Sequence, residues 1–162
     1  LKRLNVLQSL LEKNDLQMRG LIQRVNSASV TISDSVVASI DSGLLLFLGI
    51  EKNDCEDKAE KLLNKVLKYR VFADSAGKMN QCLLDKKCDL LIVSQFTLAA
   101  STDKGLRPSF TSAASTEKAK QIYDHFLTSC DKAYPKFKSG IFGEDMQVAL
   151  VNDGPVTFLL KA

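Results

Sequence analysis

Apolar and polar positions along this chain change period several times, and each change marks an element. From Met18 onward four stretches, Leu21 to Val25, Ser29 to Ile32, Val36 to Ile40 and Gly43 to Ile50, alternate with period two or run wholly apolar, with Asn, Ser, Asp and Gly between them. That pattern predicts four strands. The period then lengthens: Ala59, Leu62, Leu63, Val66 and Leu67 recur at i, i+3, i+4, i+7 and i+8, behind a start marked by Asp54 and Asp57. This is a helix, and its lysines Lys58, Lys61, Lys65 and Lys68 read most simply as its solvated face. Tyr69 to Ala73 predicts a further strand, closed by the turn Asp74-Ser75-Ala76-Gly77. Leu90-Leu91-Ile92-Val93 is apolar on both faces, as expected of a central strand covered on both sides. A second helix over Thr116 to Cys130 shows an apolar face of Ala119, Ile122, Tyr123, Phe126, Leu127 and Cys130. Met146 to Val151 and Val156 to Leu160 are then two strands flanking a turn at Gly154-Pro155.

Ahead of this body, Leu4, Leu7 and Leu11 fall at helical spacing within Leu1 to Gln17. The expectation is a helical N-terminal extension over residues 1–17 and one domain over 18–162. No repeat, low-complexity tract or linker divides that domain, and 162 residues at 45% hydrophobic suit a single core. Two main helices among many strands make the class α/β.

Charge and cysteine usage narrow the function by exclusion. Lys and Arg total 22 against 19 for Asp and Glu, a formal +3 that does not by itself point to nucleic acid. Cys55, Cys82, Cys88 and Cys130 form no CxxC pair, and His125 is the one histidine, so no metal site is expected. The longest apolar run, Gly43 to Ile50, falls far short of the roughly 20 residues a bilayer span needs. The expectation is a reduced protein of the cytoplasm with no membrane partner and no cofactor.

Two segments carry candidate chemistry. Ser94-Gln95-Phe96-Thr97 follows directly on the buried strand, so hydroxyl and amide groups stand where the sheet opens, a common place for ligand sites in α/β proteins. Satisfying backbone groups in a turn is an equal alternative for Ser94 and Thr97 at this point. Near the C-terminus, Asn152-Asp153-Gly154-Pro155-Val156-Thr157 contains a step where glycine tolerates what a Cβ forbids and proline fixes φ, a rigid corner with exposed carbonyls. A nucleophilic hydroxyl would need a base, yet His125 falls about 130° from the centre of its helix's apolar stripe, at about 100° per residue, and is expected to face water. Glu144, Asp145 and Asp153 read as surface-turn carboxylates with no spacing that enforces a shared proton. No GxxxxGK[ST] or GxGxxG stretch is present.

Taken together, Ser94-Gln95-Phe96-Thr97-Leu98 and Asn152-Asp153-Gly154-Pro155-Val156-Thr157 resemble the paired signature motifs of D-aminoacyl-tRNA deacylases. The likeness runs from Met18 almost to Ala162. It includes Leu21-Ile22-Gln23-Arg24-Val25, Tyr69-Arg70-Val71-Phe72, Gly77-Lys78-Met79-Asn80, Arg107-Pro108-Ser109-Phe110 and Phe142-Gly143-Glu144-Asp145-Met146. The resemblance implies a compact α/β domain of strongly curved, mixed sheets. It also implies a metal-free homodimer that hydrolyses the ester between a D-amino acid and the terminal adenosine of tRNA; a filter that works by excluding a side chain is expected to accept glycine as well, including glycine mischarged on tRNA-Ala. By the same likeness Gly154-Pro155 is a cis step that projects into the partner's pocket and leaves no room for an L side chain. Arg24 and Asn152 would support that step, Ser94, Gln95, Phe96 and Thr97 would line the pocket, and Phe142 and Met146 fall in a further pocket segment. Thr97 is expected to position rather than attack, with the substrate's ribose 2′-hydroxyl helping to activate water. The rival reading is a catalytically silent RNA-binding module on the same fold.

Overall fold

The first two expected strands are one. In the computed structural model, which describes residues 17–162, Arg19–Ile32 run as a single 14-residue strand, β1. The helix expected at the N-terminus lies outside the described residues. The polar step that suggested a break in β1 is a register shift: Val25 pairs with Asn152 and Ser27 with Val151, leaving Asn26 bulged. A bulge bends a strand without ending it.

That bent strand organises the sheet. Along one edge its first half pairs antiparallel with β3 (Gly43–Gly49), and its second half with β2 (Ser35–Ile40). Ser33 and Asp34, both at positive φ, turn β1 into β2 in a two-residue connection. Along the other edge β8 (Gln147–Lys161) pairs antiparallel over almost the whole length, from Arg19↔Lys161 to Thr31↔Gln147. Beyond β3 the sheet continues in parallel through β6 (Asp89–Ser94) and β7 (Phe137–Ser139), so that it is mixed and curves towards a barrel. β4 (Phe72–Ala73) and β5 (Met79–Gln81) form a separate ribbon, and only these two residues of the expected strand Tyr69 to Ala73 are extended in a ladder.

The side-chain alternation of the central strands divides the core in two. Leu44, Leu46 and Leu48 of β3, with Leu90 and Ile92 of β6, face a cluster completed by the helices α1 (Glu56–Lys68) and α3 (Thr116–Ala133). Leu45, Leu91 and Val93 face the other way, into a cluster with Val25, Ala28, Val30, Ala38 and Ile40 inside the curve of β1 and β2. The strand read as apolar on both faces is therefore covered on both. The predicted stripe of α1 is buried in full. Ser115 caps α3 by accepting from the Lys118 N–H at 3.3 Å, and a four-residue helix, α2 (Leu83–Lys86), links β5 to β6.

His125 departs from its expected place. It sits half-buried in the seam between α1 and α3, with Nε2 3.1 Å from Glu60 Oε1, because the two helices pack close enough to cover a position that is polar on an isolated helical wheel. The other surprise is Asp54. Its carboxylate is buried, accepts the Glu51 N–H at 2.7 Å and closes the turn before α1; burial pushes its pKa up, against the opposing pull of that N–H and of Lys58. The helix itself begins two residues later, with Cys55 as its N-cap.

Candidate active site

β6 keeps its partner for one residue beyond its last paired position, the Gln95 N–H donating to the Leu48 carbonyl at 2.8 Å. The chain then tightens into a 3-10 turn over Phe96–Ala99, with Leu98 N–H on the Gln95 carbonyl and Ala100 N–H on the Thr97 carbonyl. Arg19 and Ser112 fasten this turn from outside, donating to the carbonyls of Leu98 and Ala99. The abrupt change from extended to tight backbone places Ser94, Gln95 and Phe96 around the mouth of a cavity of about 360 Å³.

The remaining walls come from three other parts of the chain. Leu48 comes from β3 and Ile50 from just beyond its end, while Ala113 and Ala114 precede α3 and Thr116 and Ala119 lie in its first turn. Phe142, Gly143, Glu144 and Met146 close the far side. Ala114 is held by its N–H on the Ile50 carbonyl at 3.2 Å, next to the bridge between Glu51 and Ala113. Phe142 is anchored against Tyr123, ring centroids 5.6 Å apart. Tyr123 is itself buried and donates to the Ile92 carbonyl at 3.3 Å; burial pushes its pKa far up, so it stays neutral.

Five of the expected site residues, Ser94, Gln95, Phe96, Phe142 and Met146, thus meet at one cavity. Thr97 stands just outside. It is exposed, and its hydroxyl accepts from the Gln95 side-chain amide at 2.6 Å, which orients Gln95. Pattern reading missed Ala113, Ala114, Thr116 and Glu144. Among the described residues Glu144 is the one titratable side chain in the cavity wall; His125 lines a different hollow, between α1 and α3.

Gly154, Pro155, Arg24 and Asn152 form a second cluster away from this wall. Opposite Arg24 the β1–β8 ladder jumps from Gln23↔Thr157 to Val25↔Asn152, so four residues, Asp153 to Val156, loop out against one. The corner expected between two strands is therefore a large bulge within one strand, because Asn152 bridges its base. The Asn152 Oδ1 accepts the Val156 N–H at 3.1 Å, and its Nδ2 donates to Thr157 Oγ1 at 3.0 Å, where Gln23 also donates at 3.1 Å. Arg24 spans the loop from beneath, Nε 2.8 Å from Asp153 Oδ2 and Nη1 2.6 Å from the Val71 carbonyl. The Gly154–Pro155 peptide is cis, both residues are exposed, and Gly154 has φ +125°. A Cβ there would lie 2.8 Å from Val156 Cγ2 and 3.1 Å from Arg24 Nη2. Among the described residues no group of three His, Cys, Asp or Glu could hold a metal ion.

A mixed, near-barrel α/β domain with a motif-lined cavity at the end of its central strand defines a class, and comparison with known proteins fixes it. The model of the family described as D-Tyr-tRNA(Tyr) deacylase matches residues 21–161. The chain belongs to that family, and is an enzyme of the D-aminoacyl-tRNA deacylase class. A D-aminoacyl-tRNA deacylase of Cellvibrio japonicus (strain Ueda107) is 56% identical over 144 residues, 89% of this chain and 99% of that one. A protein of the same name from Pseudomonas aeruginosa (strain LESB58) is 53% identical over 145 residues, 90% of this chain and all of its own. A solved structure named c-Myc DNA Unwinding Element Binding Protein superposes with TM-score 0.86 at 40% identity, covering 90% of this chain and 99% of its own.

Proposed function

We propose that the cavity takes the aminoacyl end of a charged tRNA and hydrolyses the ester joining a D-amino acid, or glycine, to the terminal adenosine. The observation that carries this reading is the convergence of Ser94, Gln95 and Phe96 with Phe142 and Met146 on one cavity, in a chain of this family. Gln95, oriented by Thr97, and backbone N–H groups of the 3-10 turn supply neutral donors for the ester carbonyl. The adenosine 2′-hydroxyl helps to activate the attacking water, relaying its proton to the departing ribose 3′-oxygen, which suits a wall whose only titratable group among the described residues stands at the exposed rim.

Selectivity, on this reading, comes from a second copy of the chain. Gly154 and Pro155 do not line the cavity of their own chain, and their loop projects from β8 on a base fastened by Asn152, Arg24 and Asp153. In a homodimer that corner enters the partner's cavity and occupies the space an L side chain would need. Stiffness matters here. Crowding a deformable site by a methyl or two costs about 1–3 kcal/mol, which is only about ten- to a hundredfold in rate. A braced corner raises that figure. Glycine has no side chain to exclude and is accepted, glycine mischarged on tRNA-Ala included. The enzyme acts in the cytoplasm on charged tRNA.

The test compares release of amino acid from D-tyrosyl-, L-tyrosyl- and glycyl-tRNA by the pure protein. Cleavage of the D and glycyl esters with the L ester spared is expected. RNA binding without cleavage of any ester would instead favour a silent binding module, a role that the name of the 40%-identical nucleic-acid-binding structure keeps in view.

A further inference from the structure

The segment from Ser101 to Phe110 takes no part in the cavity wall, yet it is joined to the rim. Ser101 and Ser109 exchange both backbone hydrogen bonds, at 2.8 and 2.9 Å, closing a loop in which residues 102–110 all face solvent. Gly105, at φ +71°, turns its tip. Lys104 and Arg107 flank that tip and have no hydrogen bond or ion pair among the described residues, while Leu106 between them is fully exposed. The loop's one carboxylate is taken up at its base, where Asp103 Oδ2 accepts from Ser101 Oγ at 2.9 Å. At the foot of the loop the Phe110 ring lies 5.2 Å from the ring of Phe96, which is itself part of the cavity wall. Both rings are open to solvent, Phe96 at 65% and Phe110 at 42% exposure.

Turns are ordinarily dominated by Gly, Pro, Asn, Asp and Ser. This one leads away from a cavity with two uncommitted cations and two open aromatic faces. Cations that track phosphates beside rings that stack bases are the composition of a surface for single-stranded nucleic acid. If the cavity holds the last nucleotide of tRNA, the unpaired nucleotides that precede it must leave across the rim, and at Phe96 the rim leads to a second open ring, Phe110, and from there to the two cations. A subunit contact is the competing use of exposed rings. Composition divides the two uses, because interfaces are enriched in Arg and Phe but depleted in Lys; two cations with no carboxylate partner among the described residues favour the polyanion.

We infer that loop 101–110 is the docking surface for the unpaired nucleotides immediately upstream of the terminal adenosine, with Phe110 stacking a base and Lys104 and Arg107 holding phosphates. This rests on the reading of the cavity as an aminoacyl-adenosine site. The experiment measures kcat/KM on two substrates, D-tyrosyl-tRNA and the short ester D-tyrosyl-adenosine, which has no upstream nucleotides. Wild type is compared with a Lys104→Ala/Arg107→Ala double variant, with Phe110→Leu, which keeps an apolar contact to Phe96 but removes the stacking face, and with Phe110→Trp, which restores one.

On D-tyrosyl-tRNA the Phe110→Leu variant should lose about five- to a hundredfold, the range for one base lost from an aromatic stack, and Phe110→Trp should recover it. For the double variant the slope of log(kcat/KM) against log[salt] should flatten by about 1.4, at about 0.7 for each single-strand phosphate contact. All variants should stay within about twofold of wild type on D-tyrosyl-adenosine. Equal losses on both substrates would overturn the proposal by making the loop a support of the cavity, and no loss on either would make it idle. A change in sedimentation-measured oligomeric state would make it a subunit contact. If wild type cleaves neither ester, the functional reading itself fails and this one with it.

Discussion

Glu144 tests how much of the chemistry belongs to the protein, because among the described residues it is the single carboxylate, and the single acid or base, in the cavity wall. Its backbone N–H rests on the Ile141 carbonyl at the exposed rim. If the ribose hydroxyl activates the water, Glu144→Gln removes a charge but no proton acceptor that the reaction needs, and kcat on D-tyrosyl-tRNA should stay within about threefold. A general base contributes about 10²–10⁴-fold, so a loss of a hundredfold or more would move that role to Glu144. Gly154 poses a different question, since both its φ of +125° and the neighbours a Cβ would meet bar a side chain there. Gly154→Ala should lower stability in thermal denaturation by about 1–3 kcal/mol, the usual cost of one residue held in such a backbone region. It should also raise cleavage of L-tyrosyl-tRNA relative to the D ester by displacing the corner. Retained stability with unchanged selectivity would detach this glycine from both roles.

Among the elements, the ribbon of β4 and β5 gives stability an acid dependence. The Asp74 carboxylate accepts N–H groups from Lys78 and Ala76, each at 2.9 Å, and the Asn80 amide at 2.8 Å. The Lys78 N–H contributes most to holding its pKa below the ordinary 3.8, with Asn80 next. A carboxyl with a depressed folded pKa stabilises above its unfolded value, and that contribution disappears as pH falls through the folded one. Asp74→Ala should therefore melt below wild type at pH 7, and the two melting temperatures should converge on acidification below the ordinary carboxylate range; a pH-independent gap would reduce Asp74 to turn propensity. In the central sheet, Leu91→Ala and Ile92→Ala face opposite clusters, and each should cost about 2–5 kcal/mol by denaturant unfolding. A loss confined to one of them would contradict the two-sided core. Both core faces and the α1 stripe were legible in the sequence because burial enforces one period over many residues. The unity of β1 and of β8 was not, since bulges at Asn26 and at Asp153 to Val156 break the pattern without breaking the ladder. Ala113 and Ala114 reach the cavity only through contacts with Ile50 and Glu51 some sixty residues away, and small apolar residues in a connection carry no local signal.

At the scale of the whole molecule, the division of labour between cavity and corner decides what one chain can do alone. The cavity wall takes residues from the ends of β3 and β6, the start of α3 and the segment before β8, while the corner rises from the middle of β8 and is absent from that wall. If the corner serves a second copy, the two functions separate on mixing. A Gly154→Ala chain supplies a working cavity guarded by a damaged corner, and its homodimer should cleave both D- and L-tyrosyl-tRNA. An Ala113→Trp chain has its cavity filled by the indole and keeps its corner, and its homodimer should cleave neither. In the mixed dimer the only open cavity is covered by the only intact corner. Refolding the first chain with an n-fold excess of the second leaves only about one open cavity in n + 1 with a damaged guard, so L cleavage should fall by about that factor while D cleavage stays in proportion to the open cavities present. A corner acting within its own chain gives the opposite result, because every open cavity would then keep its damaged guard and the ratio of L to D cleavage would be indifferent to mixing.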